Sequence, residues 1–213
     1  MKIRNFIIGA ILTNCYFLIP DESDRVIVVD PGLDGEGVAQ KLCEKGLKPE
    51  YVLLTHGHFD HSMGALALQK MGAKLAVHRF DAEMLSDQRK NGALMYFGYP
   101  KDGYPHITPD ILLEDGDTVS LEEISLRVIH TPGHTAGSVC FDSGEDLFSG
   151  DTLFKDGFGR TDLYGGDTSA LAASLLALQS LEGDRRLHPG HGSSSTLSKQ
   201  RDNISRYLQI FGN

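Results

Sequence analysis

Two buried-strand runs in this chain end in histidine-bearing loops, VLLTHGHFDH at 52–61 and LRVIHTPGHT at 126–135. Each run is apolar, β-branched and short, as a strand covered on both faces must be. Two such units in one chain imply two similar β-plus-α halves. Packed sheet to sheet, they would place both histidine loops at a shared seam.

Around these anchors, further short apolar runs alternate with turn residues. Residues 3–9, 14–20 and 25–30 read as strands, punctuated by Thr13-Asn14 and by Asp21-Glu22-Ser23-Asp24. Asp30-Pro31-Gly32 ends the third. Gly35 to Gly46 is predicted to be a short helix, Tyr51 to Leu54 a buried strand, and Asp60 to Met71 a continuous helix. A strand follows at Leu75–His78, with further strands near 111–113, 117–121, 124–130, 138–142 and 145–149. Thr168 to Leu181 and Leu197 to Ile210 carry helical spacing. The stretch 91–110 has no regular period but holds Tyr96, Phe97, Tyr99 and Tyr104, and a long irregular loop in a compact domain is often functional. No linker or compositional break divides the chain, so 1–213 is expected to form one domain.

Composition narrows the function classes. A formal charge of −9 disfavours nucleic-acid surfaces and anionic membranes as partners. Three cysteines, none in a CxxC pair, suit a reducing compartment, and a cytoplasmic location is expected. The apolar run Phe6–Leu12 after two basic residues loosely resembles an export leader. However, Asn14 precedes Cys15 where a small residue would be needed, and the apolar character resumes at once, as in paired strands. No run reaches the ~18 apolar residues of a membrane span.

The chemistry is concentrated in His56-Gly57-His58-Phe59-Asp60-His61. Three imidazoles and a carboxylate within six residues are a dense set of metal ligands. His-x-His in an extended segment puts both rings on one side, and Asp60-His61 lie where the chain turns into the next helix. Three turns after strands carry more: His134 in TPGHT, Asp151 in FSGDT and His191 in LHPGHG. An Asp or His in a Gly-rich turn is by itself more often a turn former. Taken with the first cluster, the three complete a site on one edge of two sheets.

These segments resemble the metallo-β-lactamase superfamily, and most of all its glyoxalase II-like branch. The similarity runs through TNCYFLIP at 13–20, HGHFDH, TPGHTAGSV, SGDTLF and HPGHG. It implies an αββα sandwich of two mixed sheets flanked by helices. It also implies His56, His58 and His134 on one divalent ion and Asp60, His61 and His191 on a second, with Asp151 between them. Zinc is the expected metal, with iron or manganese as the other choices. The reaction implied is hydrolysis of a small-molecule thioester, of glutathione or another thiol, by water activated between the cations, with Asp60 and Asp151 as catalytic carboxylates. No GxSxG elbow offers a competing serine nucleophile.

There are departures from the branch. Longer glyoxalase II enzymes carry a C-terminal helical region that helps hold glutathione, whereas only 22 residues follow His191 here. Near Gly159 the sequence reads Gly-Arg-Thr-Asp where those enzymes place Lys and Tyr. That segment is shared with persulfide dioxygenases, which use one iron, so this activity is an alternative, as is lactone or ester hydrolysis. Arg160, Tyr104 and His106 are the candidate substrate contacts, with Arg160 also able to pair internally with Asp162 or Asp167. His188, His78 and His130 are expected to be packed, satisfied histidines.

Overall fold

Period-two alternation in the strands explains the layering. In β2 (Thr13–Ile19) and β3 (Arg25–Val29), Phe17, Val26 and Val28 join one apolar cluster while Tyr16, Leu18, Ile27 and Val29 join another. Both faces are therefore covered, one by helices and one by a second sheet. The computed structural model of the chain describes residues 1–98 and 104–211.

The first sheet has the order β1-β2-β3-β4-β5-β6, adding β1 (Lys2–Ile8), β4 (Lys48–Leu53), β5 (Lys74–His78) and β6 (Ile111–Leu113). β1 and β2 form the expected hairpin, and β3 through β6 pair in parallel. The second sheet has the order β14-β13-β10-β9-β8-β7, from β7 (Thr118–Leu121), β8 (Ile124–His130), β9 (Val139–Asp142), β10 (Asp146–Gly150), β13 (Arg186–Pro189) and β14 (Ser195–Thr196). Leu153–Phe154 and Gly157–Phe158 make a separate small hairpin, β11–β12. This is the αββα sandwich of two mixed sheets.

Helix α1 (Gly35–Glu44) begins at Asp34, whose side chain accepts from the Gly37 N–H. Together with α3 (Ala65–Lys70) it covers the outer face of the first sheet, where Val38, Leu42, Ala65 and Leu68 are buried. Helices α5 (Thr168–Gln179) and α6 (Leu197–Phe211) cover the second sheet through Leu171, Leu175, Leu178, Leu197 and Ile204. Phe141, Phe148, Leu126 and Val128 fill the layer between the sheets.

The expected helix from Asp60 to Met71 is two helices, α2 (Phe59–Ser62) and α3, broken at Met63-Gly64. Gly64 lies against the Gly32 carbonyl and Gly35, where a Cβ would sit 2.9 Å from Gly32 O and 3.1 Å from Gly35 Cα. The hydrophobic period passes through the break, but close backbone packing requires it. In the stretch read as irregular, Ala93–Phe97 forms a short helix, α4, and Ala82–Ser86 a 3-10 turn precedes it. Tyr99 lies outside the described residues. Among the described residues, no helix is long and apolar enough to cross a membrane.

Candidate metal centre

Every candidate ligand follows the C-terminal end of a strand, which gathers them at one edge of the sandwich. His56 and His58 lie just beyond β4, His134 beyond β8, Asp151 beyond β10 and His191 beyond β13. His58 is extended and caps α2, so Asp60 and His61 emerge from the first turn of that helix.

Three groups of ligand atoms each fall within 4.8 Å of one another: His56, His58 and His134; Asp60, His61 and His191; and His56, His61 and Asp151. His58 Nδ1 lies 2.9 Å from His134 Nε2, and His61 Nε2 lies 3.2 Å from His191 Nε2. Asp151 spans the two sets, its carboxylate 3.6 Å from His134 Nε2, 3.6 Å from His191 Nε2 and 3.5 Å from His61 Nε2. Asp60 Oδ2 stands 3.3 Å from His191 Nε2 and 3.5 Å from His61 Nε2.

The hydrogen bonds behind the rings assign their tautomers. His134 Nδ1 meets the Arg160 carbonyl at 2.8 Å, an oxygen that can only accept, so Nδ1 carries the proton and Nε2 is bare. His61 Nδ1 faces the Asp30 carboxylate at 2.9 Å and likewise carries a proton, which leaves Nε2 as its inward atom. Thr55 donates its hydroxyl to Asp30 at 2.7 Å and thus accepts from His56 Nδ1 at 3.1 Å. Three imidazoles therefore turn Nε2 rather than Nδ1 inward, in the arrangement by which outer hydrogen bonds orient metal-binding histidines.

The donor set fits divalent cations. His56 Nε2, His58 Nε2 and Asp151 Oδ1 are buried with no hydrogen-bond partner, a condition that folded proteins avoid unless something else satisfies the atoms. Five imidazoles with two carboxylates is the chemistry that zinc, iron and manganese accept.

Electrostatics divide the histidines into two kinds. Burial, and then the neighbouring imidazoles, hold His56 well below the ordinary value and His58 at about 3, so both are neutral at physiological pH. Burial also opposes charge on His61, but Asp60, Asp151 and Asp30 outweigh it and push His61 up to about 10. His191 is raised against burial by Asp60 and Asp151. Asp60 is likewise buried, yet His61 and His191 hold it below the usual carboxylate range.

Two acids that the sequence did not single out as site residues organise the edge. Asp30, at a left-handed φ of 50°, binds Thr55 and His61 at once. Its only sequence signal was an acid closing a buried strand before Pro-Gly. Asp81 accepts from Gly57 N at 2.8 Å, Gly137 N at 2.7 Å and Thr135 Oγ1 at 2.6 Å, tying the HGHFDH loop to the His134 loop. Nothing local in the sequence marks it. From the other side, β2 holds the His191 loop: Asn14 Nδ2 donates to Pro189 O and Gly192 O, both at 2.9 Å, and Tyr16 OH to Pro189 O at 2.7 Å.

A cleft of about 350 Å³ opens over the ligands, lined also by Ile11, Phe59, Asn91, Met95, Tyr96, Arg160 and Leu163. Arg160 reaches the cleft but grips Asp162 with two 2.6 Å hydrogen bonds. Tyr104 does not line it; its hydroxyl accepts from Asn91 at 2.8 Å, and burial pushes its ionisation up to about 12. His106 is exposed and away from the cleft wall. His188 bonds Asp146 at 2.7 Å and stacks on Phe148, while His78 and His130 stack on each other at 4.1 Å across the two sheets.

The family model described as the metallo-beta-lactamase superfamily matches residues 8–191, a span that holds all seven candidate ligands. The chain belongs to the metallo-β-lactamase superfamily. Within the superfamily it is 36% identical to the probable metallo-hydrolase YqgX of Bacillus subtilis, over 95% of each chain. It is 33% identical to the hydroxyacylglutathione hydrolase GloC of Haemophilus influenzae, over 94% of this chain and 95% of that one. Among solved superfamily structures, the BLEG-1 B3 metallo-beta-lactamase matches with TM-score 0.88 and 32% identity, covering 97% of this chain and 99% of that one. TTHA1623, in a di-iron-bound form, matches with TM-score 0.78 and 33% identity, covering 92% and 96%.

Proposed function

We propose that this chain is a binuclear metal-dependent hydrolase of small-molecule thioesters, cytoplasmic, with zinc as its native metal. The observation that carries the reading is the pair of ligand sets joined by Asp151 beneath an open cleft. Similarity to a hydroxyacylglutathione hydrolase over nearly the whole chain supports the thioester class. The reducing location rests on three free cysteines, two of them buried.

Hydrolysis adds water across the acyl carbon–sulfur bond and releases a carboxylic acid and a thiol. When bound, a pair of divalent cations supplies Lewis-acid polarisation and lowers the pKa of a shared water towards ~7. His56, His58 and His134 would hold one cation, Asp60, His61 and His191 the other, and Asp151 both. Asp60 also has a role beyond ligation. Its Oδ2 is steadied by the Thr13 hydroxyl at 3.3 Å and lines the cleft, so it can accept a hydrogen bond from the attacking water and orient it. Asn91 is buried and commits its amide to Met84 O, Tyr104 and the Ala93 N–H, so it braces the cleft wall.

The test is metal content per chain, followed by a panel of thioesters, lactones, esters and a β-lactam. About two equivalents of metal with thioesters as the best substrates is the expected result, and Asp60→Ala should fold yet lose about 10²–10⁴ in rate. One equivalent of iron with oxygen uptake on a persulfide would replace this reading with a persulfide dioxygenase. Unchanged turnover in Asp60→Ala would remove the mechanism.

A further inference from the structure

The cleft has two chemically distinct walls. Its floor is the ligand cluster. Above the floor stand Ile11 from the β1–β2 turn, Phe59 at the start of α2, Met95 and Tyr96 from α4, and Leu163. Phe59 is nearly buried and is held from behind by the rings of Tyr96 and Phe97, at 5.4 and 5.5 Å. Met95, by contrast, is 78% exposed and Tyr96 51% exposed, and Leu12 beside Ile11 is 60% exposed. Apolar side chains from four separate segments thus surround the mouth of one polar floor. Exposed apolar groups gathered around a cleft, rather than scattered singly, mark a surface that something apolar covers.

The charge around the mouth supports the same conclusion. Arg160 is the only Lys or Arg among the described lining residues, and Asp162 pairs with it through two hydrogen bonds. Asp162 is itself held low by that guanidinium, at about 2, so both partners stay charged at any physiological pH. The chain as a whole carries −9, which repels anionic substrates on approach.

We infer that the substrate presents an uncharged, apolar group to the wall of Ile11, Phe59, Met95, Tyr96 and Leu163, so that the preferred thioesters carry an aliphatic or aromatic acyl chain on an uncharged thiol rather than on glutathione. This specificity rests on the thioester reading above, but the apolar wall can be probed without turnover. In the reaction, the carboxylate of the acid product is left at the ligand floor with its chain against the wall.

Calorimetric titration of the metal-loaded protein with n-alkanoates from acetate to octanoate reads the wall directly. The dissociation constant should fall by about fourfold per methylene until the cleft is filled. Met95→Asp and, independently, Ile11→Asp should flatten the series while metal content stays unchanged, since both side chains lie at the rim. A series flat to within twofold in the native protein overturns the inference. In parallel, kcat/KM is measured for the same acyl groups on N-acetylcysteamine and on glutathione. The uncharged thiol should be preferred, and a tenfold preference for glutathione also overturns the inference. If no thioester turns over but the alkanoate slope persists, the thioester reading falls and the apolar wall stands. If thioesters turn over and the slope is flat, the reverse holds.

Discussion

Asp81 accepts the Thr135 hydroxyl at 2.6 Å across 54 positions of sequence, and the same carboxylate takes the backbone N–H of Gly57 and of Gly137. One buried acid thereby sets the distance between the loop that carries His56 and His58 and the loop that carries His134. Burial raises its pKa, and the three donors work the other way. Asp81→Ala would leave those donors buried without an acceptor, at about 1–3 kcal/mol for each that stays dry. A fall in thermal midpoint and a weaker hold on metal at the His56, His58 and His134 set are both expected, read by calorimetry and chelator competition. Loss of stability with unchanged metal affinity would mean that Asp81 only supports the fold.

Metal uptake should release protons. His61, pushed up to about 10, is charged at neutral pH in the metal-free protein and His191 is shifted in the same direction, whereas His56 and His58 are already neutral. A cation needs bare nitrogens, so loading near pH 7.5 is expected to displace about one to two protons per chain. Titration in buffers of different ionisation enthalpy measures that number. The linkage has a definite sign. A histidine raised on folding stabilises the metal-free protein fully below the unfolded value of about 6.5, and that contribution is lost as pH climbs through about 10. Metal affinity should therefore rise over the window in which metal-free stability falls. Asp30→Asn, which removes the charge behind His61, should lower affinity by about 10- to 100-fold.

Asp146 carries the acid sensitivity of the opposite end of the second sheet. It is buried, which disfavours its charge, but hydrogen bonds from His188 and Arg186, all at 2.7 Å, outweigh burial and lower its pKa. A carboxylate lowered on folding contributes stability above its unfolded value of about 3.9, and that stability disappears as pH falls through the folded value. Asp146→Asn is expected to cost about 2 kcal/mol at neutral pH. The gap to the native protein should close below about pH 4 in acid-unfolding curves.

Gly64→Ala tests the break between α2 and α3. The added methyl would meet Gly32 O at 2.9 Å and Pro31 O at 3.0 Å, all backbone and unable to step aside. Overpacking of this kind costs about 1–3 kcal/mol. Because Gly32 N also donates to His61 O at 3.1 Å, weaker metal binding should accompany the drop in stability.

What the sequence revealed, and what it hid, divides along the range of the forces involved. The β1–β2 hairpin and the buried strands were legible because periodicity and turn residues are local. The seven candidate ligands were legible because metal chemistry restricts residue type so tightly that His56 to His61 stands out unaided. The split at Gly64 was hidden, since its cause is the backbone of Gly32 and Gly35 on another segment. Helix α4 was hidden because its five residues are bracketed by Gly92 and Gly98 and are too few to show a period of their own. Asp81 was invisible for the same reason at the level of the site: its three partners belong to two distant loops. Tyr104 and His106 were chosen as substrate contacts from loop composition, and the fold turns one towards Asn91 and leaves the other outside.

The bond from Asn14 to Pro189 joins residues 175 positions apart, and Thr13 bridges His191 beside it. Such distant pairing is slow to form, because a long loop of chain must be ordered before the contact repays it. During synthesis His56, His58 and His134 can meet while β13 is still unmade, but the set that needs His191 cannot. On the two-ion reading, the centre would be built in two instalments: an ion bound early would be held by one set of histidines, and a second would be retained only when nearly the last strand of the protein has found the second set.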